Sequence, residues 1–174
     1  MDKQRQSDPG MQKLADLIGE TGIAMLTTEE PDGELRSRPL ATLQMDVDGK
    51  LWFFTAMSSA KVGDIDLHRH VNLSYANVEK QNFVSISGSA RLLRDRQKMH
   101  ELWTIWVNPW FHNGADDPDL GLLEVTINQA EYWDAPASRM QRLFGLAKAI
   151  STGNTDQLGE HGRVTPQDSA PSGH

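Results

Sequence analysis

Two short clusters hold the residues best suited to chemistry. Ser58-Ser59-Ala60-Lys61 follows the apolar, aromatic run Leu51-Trp52-Phe53-Phe54-Thr55 and leads into a segment with helical spacing, Val62 to His70. Ser59 is a good helix N-cap, which puts Lys61 in the first turn. A lysine there is mildly unfavourable alone, because the N-terminal end of a helix carries partial positive charge. An anion at that end reverses the balance. Backbone N–H groups, two serine hydroxyls and an ammonium together make a phosphate cradle. The plainer alternative is an ordinary strand–turn–helix connection with a solvated lysine. The second cluster is Arg36-Ser37-Arg38. In a strand, Arg36 and Arg38 share one face and Ser37 takes the other. Two guanidiniums on one face could grip a phosphate, or serve as the solvated cations of an edge strand. Asp48-Gly49 is a hairpin turn. It makes the two cluster-bearing strands neighbours, so both clusters can share one patch.

The remaining polar groups say less. His68 and His70 flank Arg69 without the carboxylate pattern of a known metal site, and cations at a helix C-terminus account for them. Asp116, Asp117 and Asp119 lack EF-hand spacing and read as a capped turn. Trp103, Trp106, Trp110 and Phe111 form an aromatic stretch suited to core or interface packing, or to stacking on a flat ring system. Neither G-x-S-x-G nor G-x-G-x-x-G occurs, so a hydrolase elbow and a dinucleotide fingerprint lack support.

The chain has 174 residues, 38% hydrophobic and 24% charged, which suits one domain with a tail. It has no cysteine, which removes disulfides, thiolate nucleophiles and thiolate metal sites. No apolar run approaches the ~20 residues of a membrane span. The start is polar and unlike a signal peptide. These features lead us to expect a cytoplasmic protein without a membrane partner. A net charge of -7 argues against nonspecific nucleic-acid binding.

The periodicities divide the chain as follows. Residues 1–10 read as a disordered lead, 11–150 as the folded domain and 151–174 as a disordered tail rich in glycine, proline and small polar residues. Met11 to Glu20 has helical spacing, and Ile23 to Thr28 reads as a strand. Leu35 to Val47 is a second extended segment in which Pro39, lacking a donor, demands a bulge or an edge. Lys50 to Thr55, Val71 to Asn77 and Phe83 to Leu93 are further strands. In the last, Val84, Ile86, Gly88 and Ala90 share one face. A helix capped by Asp95 is expected to run to about Val107. Leu122 to Ile127 and Ala130 to Trp133 supply the last strands, and Leu143 to Ile150 a final helix. About six strands with hairpin connections and few helices suggest a mainly β fold, an antiparallel barrel.

In combination, three stretches resemble the pyridoxamine 5'-phosphate oxidase-like flavin-binding split barrels, within them the general stress protein family. They are Arg36-Ser37-Arg38-Pro39-Leu40, then Phe54-Thr55 with Ser58-Ser59-Ala60-Lys61, then Trp110-Phe111 through Asp116-Asp117-Pro118-Asp119-Leu120 to Glu131-Tyr132-Trp133-Asp134. The resemblance covers about Met11 to Trp133. It implies a six-stranded antiparallel split barrel with flanking helices, a homodimer, and FMN between the subunits, with FAD and the deazaflavin F420 as related ligands. By carry-over, Arg38 and Lys61 hold the FMN phosphate, assisted by Ser59, and Ser58 belongs to the same cofactor-binding segment. Arg36 belongs to the same strand, and Ser37, Pro39 and Leu40 lie near the isoalloxazine. Phe54 and Thr55 line the ring or ribityl chain, and Trp110 adds a ring contact. Trp133 and Arg139 keep a spacing found in the true oxidases. Gln141 stands where those enzymes have a histidine, and Leu143 where they have a second arginine. The resemblance therefore implies a general-stress-type flavoprotein, an oxidoreductase acting on a small molecule other than the vitamin. A noncatalytic flavin-sensing or storage protein is the alternative, and no metal site is expected.

Overall fold

In the computed structural model of the chain, residues 8–104, 107, 109, 111–134 and 160–165 are described. Three α-helices occur among them, α1 (Pro9–Thr21), α2 (Ala60–Leu67) and α3 (Arg96–Leu102), with a 3-10 turn at Gly114–Asp116. Eight strands form one sheet: β1 (Ile23–Glu29), β2 (Leu35–Ala41), β3 (Gln44–Met45), β4 (Lys50–Ala56), β5 (His70–Asn77), β6 (Asn82–Leu93), β7 (Leu120–Asp134) and β8 (Glu160–Val164). The order is β2-β1-β5-β6-β7-β4-β3, with β8 on β7, and every pairing is antiparallel. The six longer strands are those of the expected split barrel. Short β3 and β8 add to them.

The sheet curls until its ends meet at one corner. Thr42 N–H donates to the Gly22 carbonyl ahead of β1, and Leu43 N–H to the Trp52 carbonyl of β4. Two successive residues thus reach both ends of the sheet. The Thr42 hydroxyl also pairs with the buried Tyr75 hydroxyl at 2.8 Å. β2 is an edge strand, so Pro39 leaves no ladder bond unmade.

The long strand β7 is the spine. It pairs with β6 along its length, with β4 through residues 120–126, and with β8 through residues 130–134. Asn128 is an extra residue in the ladder, between Ile127 opposite Gly88 and Gln129 opposite Ser87. Gly88 is required there. A Cβ would sit 2.6 Å from Val125 Cγ1 and 2.8 Å from the Thr126 carbonyl oxygen.

Apolar residues fill both sides of this wall. The main core lies inside the curl, with Leu26, Leu51, Phe53, Leu73, Ile86, Leu123 and Val125 fully buried, closed by Leu14, Leu17 and Ile18 of α1. Burying each such side chain contributes about 1.5–3 kcal/mol. A second cluster covers the outer face of β4 and β7: Trp52, Phe54 and Leu122 under Met99 and Leu102 of α3 and Phe111. No helix among the described residues is long and apolar enough to cross a membrane.

Several boundaries differ from expectation. Residues 1–10 were expected to be disordered, yet α1 starts at Pro9, because Asp8 caps it through Gly10 N–H and proline suits the first turn. Helix α2 stops at Leu67 instead of His70, since His70 already pairs with Ser89 in the sheet. Helix α3 stops at Leu102, before Val107. Trp103 is extended (φ -63°, ψ 133°) and its ring packs against Phe54. The segment Leu35 to Val47 breaks at the Thr42–Leu43 corner. The two expected last strands are one strand joined through the bulge. Within 151–174, expected to be disordered, Glu160–Val164 forms β8, with Val164 buried in the main core. The expected helix Leu143 to Ile150 lies outside the described residues.

Candidate functional site

Helix α2 lies across one end of the barrel and gathers the candidate residues there. Its Ile65 is buried in the main core. Its Asp64 is also buried and accepts a hydrogen bond from the Thr28 hydroxyl of β1 at 3.2 Å. Arg38 joins them from β2. It pairs with Leu26 across the ladder, so its side chain starts from the inner face. Arg38 Nη1 donates to Thr28 Oγ1 at 2.8 Å, and Nη2 lies 3.4 Å from Asp64 Oδ2. The guanidinium is 19% exposed. Two of its five N–H donors are thereby engaged.

Lys61 stands in the first turn of α2, as the sequence predicts. It is half-buried and, among the described residues, makes no ion pair. Its ammonium is held below the usual lysine range, first by burial and then by the nearby Arg38 charge. Two cations therefore converge where helix N–H groups also lack intrahelical carbonyls.

Ser59 is the N-cap residue (φ -74°, ψ 147°), but its hydroxyl makes no cap hydrogen bond. Among the described residues, Ser59 Oγ and Thr55 Oγ1 are the buried side-chain polar atoms without a partner. Thr55 is the penultimate residue of β4 and is 3% exposed. Leaving a buried hydroxyl unpaired costs about 1–3 kcal/mol. Both orphans flank the turn that leads into Lys61. A phosphate suits this donor set: two cations, two hydroxyls and N–H groups at a helix start, against one carboxylate that Arg38 and Thr28 already engage.

The other predicted residues take different places. Ser58 donates its hydroxyl to Asp119 Oδ2 at 2.7 Å and its N–H to Asp119 Oδ1 at 2.8 Å, so it has no donor left for a ligand. Arg36 shares Arg38's face but is exposed and pairs with Glu30 at 3.0 Å. Ser37 and Pro39 lie on the outer face, where the Ser37 and Thr27 hydroxyls are 2.7 Å apart. Leu40 packs against the main core. Phe54 points outward, buried in the second cluster with its ring centroid 5.8 Å from that of Trp103. Trp110, Arg139, Gln141 and Leu143 lie outside the described residues. Among those described, no group of three or more His, Asp or Glu could hold a metal ion.

Sequence reasoning missed Thr28, Asp64 and the role of Asp119. Asp64 had a signal in its spacing, three residues past Lys61 and so on the same helix face. Thr28 had none, since its partner Arg38 comes from the next strand.

Known proteins share this architecture. A candidate general stress protein 26 from Jannaschia sp. CCS1 superposes with a TM-score of 0.71 at 24% identity, over 89% of this chain and 97% of that one. The general stress FMN/FAD binding protein of Xanthomonas citri is 28% identical with a TM-score of 0.64, over 73% of this chain and 89% of that one. Protein bli-3 of Neurospora crassa is 24% identical over 178 residues, covering 97% of this chain and 85% of its own. The sequence profile described as pyridoxamine 5'-phosphate oxidase like matches residues 9–157, most of the length. The chain belongs to the pyridoxamine 5'-phosphate oxidase-like family.

Proposed function

We propose that the protein binds FMN and passes electrons to or from a small molecule in the cytoplasm. The observation that carries this reading is the pair of buried hydroxyls, Thr55 Oγ1 and Ser59 Oγ, that find no partner among the described residues, beside a lysine that makes no ion pair among them. Arg38 and Lys61 neutralise the phosphate charge, and the two hydroxyls donate to its oxygens. Thr28 and Asp64 hold the guanidinium in place for that contact. The flavin, once bound, supplies the redox chemistry, while the protein supplies position and electrostatics. The Xanthomonas citri relative, described as FMN/FAD binding, supports a flavin. Two cations and two hydroxyl donors suit the dianionic monoester phosphate of FMN better than the singly charged diester phosphates of FAD or F420.

The reading includes a homodimer with the flavin at its interface. The outer face of β1 and β2 supports it, with Ile23 58% and Met25 42% exposed beside their cross-strand partners Ala41 and Pro39, which are exposed too. Such a contiguous apolar face suits a self-complementary contact.

The test is a visible absorption spectrum and a flavin fluorescence titration of the purified protein with FMN. Saturable quenching supports the reading; a protein that ignores FMN ends it. A second reading, flavin storage or sensing without turnover, draws on one observation: the cradle's ionisable groups are Arg38 and Asp64, which pair with each other, and Lys61, a cation suited to holding an anion. Reduction of the bound flavin by a nicotinamide donor, followed by stopped-flow absorbance, separates the two.

A further inference from the structure

Asp119 lies 61 residues beyond Ser58, in the turn that precedes β7. Its carboxylate takes both the N–H and the hydroxyl of Ser58, and its own carbonyl accepts Met57 N–H at 2.8 Å. Three bonds thus join one residue to the connection between β4 and α2. Those Ser58 bonds hold the Asp119 carboxyl below the usual carboxylate range.

The turn around Asp119 is itself fixed. Asp117 Oδ1 accepts Asp119 N–H at 2.9 Å. Asp116 accepts from Arg96 Nε at 2.9 Å and lies 2.9 Å from His100 Nε2, which ties the turn to α3. Arg94 donates to the Pro118 carbonyl. Gly121 completes the arrangement: a Cβ there would collide with the Met57 thioether. Met57 therefore lies over the start of β7 while Ser58 is held by Asp119. The next residues in the chain are Ser59, with its orphaned hydroxyl, and Lys61.

We infer that Asp119 is a positioning residue for the phosphate cradle, a latch that sets the β4–α2 connection so that Ser59 and Lys61 face the same anion. The inference rests on reading that cradle as the FMN phosphate site. Asp119 does not touch the ligand; it fixes the backbone that does. A cradle whose loop samples the competent conformation for only a fraction of the time loses affinity by that fraction. Removing the carboxylate breaks the two Ser58 bonds and leaves the backbone carbonyl on Met57 N–H; it lowers the fraction to roughly a tenth, hence an affinity loss of about tenfold. The loss falls on the phosphate end of the ligand alone.

Riboflavin, which has the flavin ring and ribityl chain without phosphate, is therefore the control. The experiment titrates the full chain with FMN and with riboflavin by fluorescence quenching, in wild type, Asp119→Ala, Asp119→Asn and Asp119→Glu. Amide hydrogen exchange of the peptide spanning residues 57–60 accompanies it. The expected result is FMN binding about tenfold weaker in D119A with riboflavin unchanged, and faster exchange at 57–60. D119N should restore FMN binding. Its amide oxygen accepts Ser58 N–H, and its NH2 donates to the Ser58 hydroxyl in the reverse sense. D119E keeps the charge but displaces the acceptors, so it should weaken FMN selectively; this variant decides the matter if D119A does not fold. D119A or D119E binding FMN like wild type overturns the latch, as does an equal loss of FMN and riboflavin. A wild-type protein that binds FMN no better than riboflavin overturns the phosphate site itself, and the latch with it.

Discussion

Replacing Lys61 with methionine should move stability and ligand affinity in opposite directions. Met keeps the length and apolar stem of lysine and removes its charge. In the ligand-free protein that charge is a burden: the ammonium is half-buried, lies near Arg38 and pairs with no anion among the described residues. The sign follows from the pKa. A lysine whose folded pKa is lowered from 10.5 is held less tightly by the folded chain than by the unfolded one. Its penalty is complete below the folded pKa and fades as pH rises toward the unfolded value. At neutral pH K61M should therefore be equal or more stable. Half-exposure screens the effect, which limits the gain to under about 1 kcal/mol and the rise in melting temperature to about 2–4 °C. The difference from wild type should close as the pH approaches that of free lysine. Binding should move the other way. A charge-assisted hydrogen bond contributes about 1.5–3 kcal/mol, so FMN affinity should fall roughly ten- to a hundredfold, with riboflavin affinity unchanged. Thermal melts from neutral to alkaline pH and fluorescence titrations give both quantities. A K61M protein that melts several degrees lower and binds FMN like wild type would refute the reasoning, and make Lys61 a structural residue.

Two further changes probe the frame around the site. Asp64→Ala leaves the partly buried Arg38 side chain without its anion and Thr28 without its acceptor, and should cost about 1–3 kcal/mol in urea unfolding; an unchanged midpoint would mean that the 3.4 Å pair carries little. Gly88→Ala forces a methyl group against the Thr126 carbonyl and Val125 at the β7 bulge. It should destabilise by about 1–3 kcal/mol, visible as a lowered melting temperature.

Arg38, Ser59 and Lys61 stand out as candidates in the sequence because the patterns that select them are local. An arginine pair in a strand and a lysine in the first turn of a capped helix are short-range patterns. The alternation of Val84, Ile86, Gly88 and Ala90 likewise gave the buried face of β6 directly. Phe54 was harder. The run Leu51 to Phe54 is buried on both sides of the sheet, so it has no period that separates inward from outward residues. Only the contact with Trp103 shows that Phe54 faces the outer cluster. The contact that Ser58 makes was not legible for another reason. Its hydroxyl is committed to Asp119, and no local rule links residues so far apart. Strand β8 was missed because Glu160-His161-Gly162-Arg163-Val164 carries one apolar residue and no alternation. Its partner, the end of β7, imposes the extended form.

That strand ties residues 160–164 to the first turn of α1. β8 covers the stretch of β7 that β4 leaves bare, and Val164 reaches back to α1, where a Cβ on Gly10 would lie 3.1 Å from Val164 Cγ2. During synthesis, everything through β7 emerges before this last strand does. Until residue 164 clears the ribosome, the nascent domain carries an unpaired strand edge of the kind that captures other chains. The terminal stretch thus acts as a late seal on the nascent domain, and a premature stop before it would leave the protein prone to aggregation.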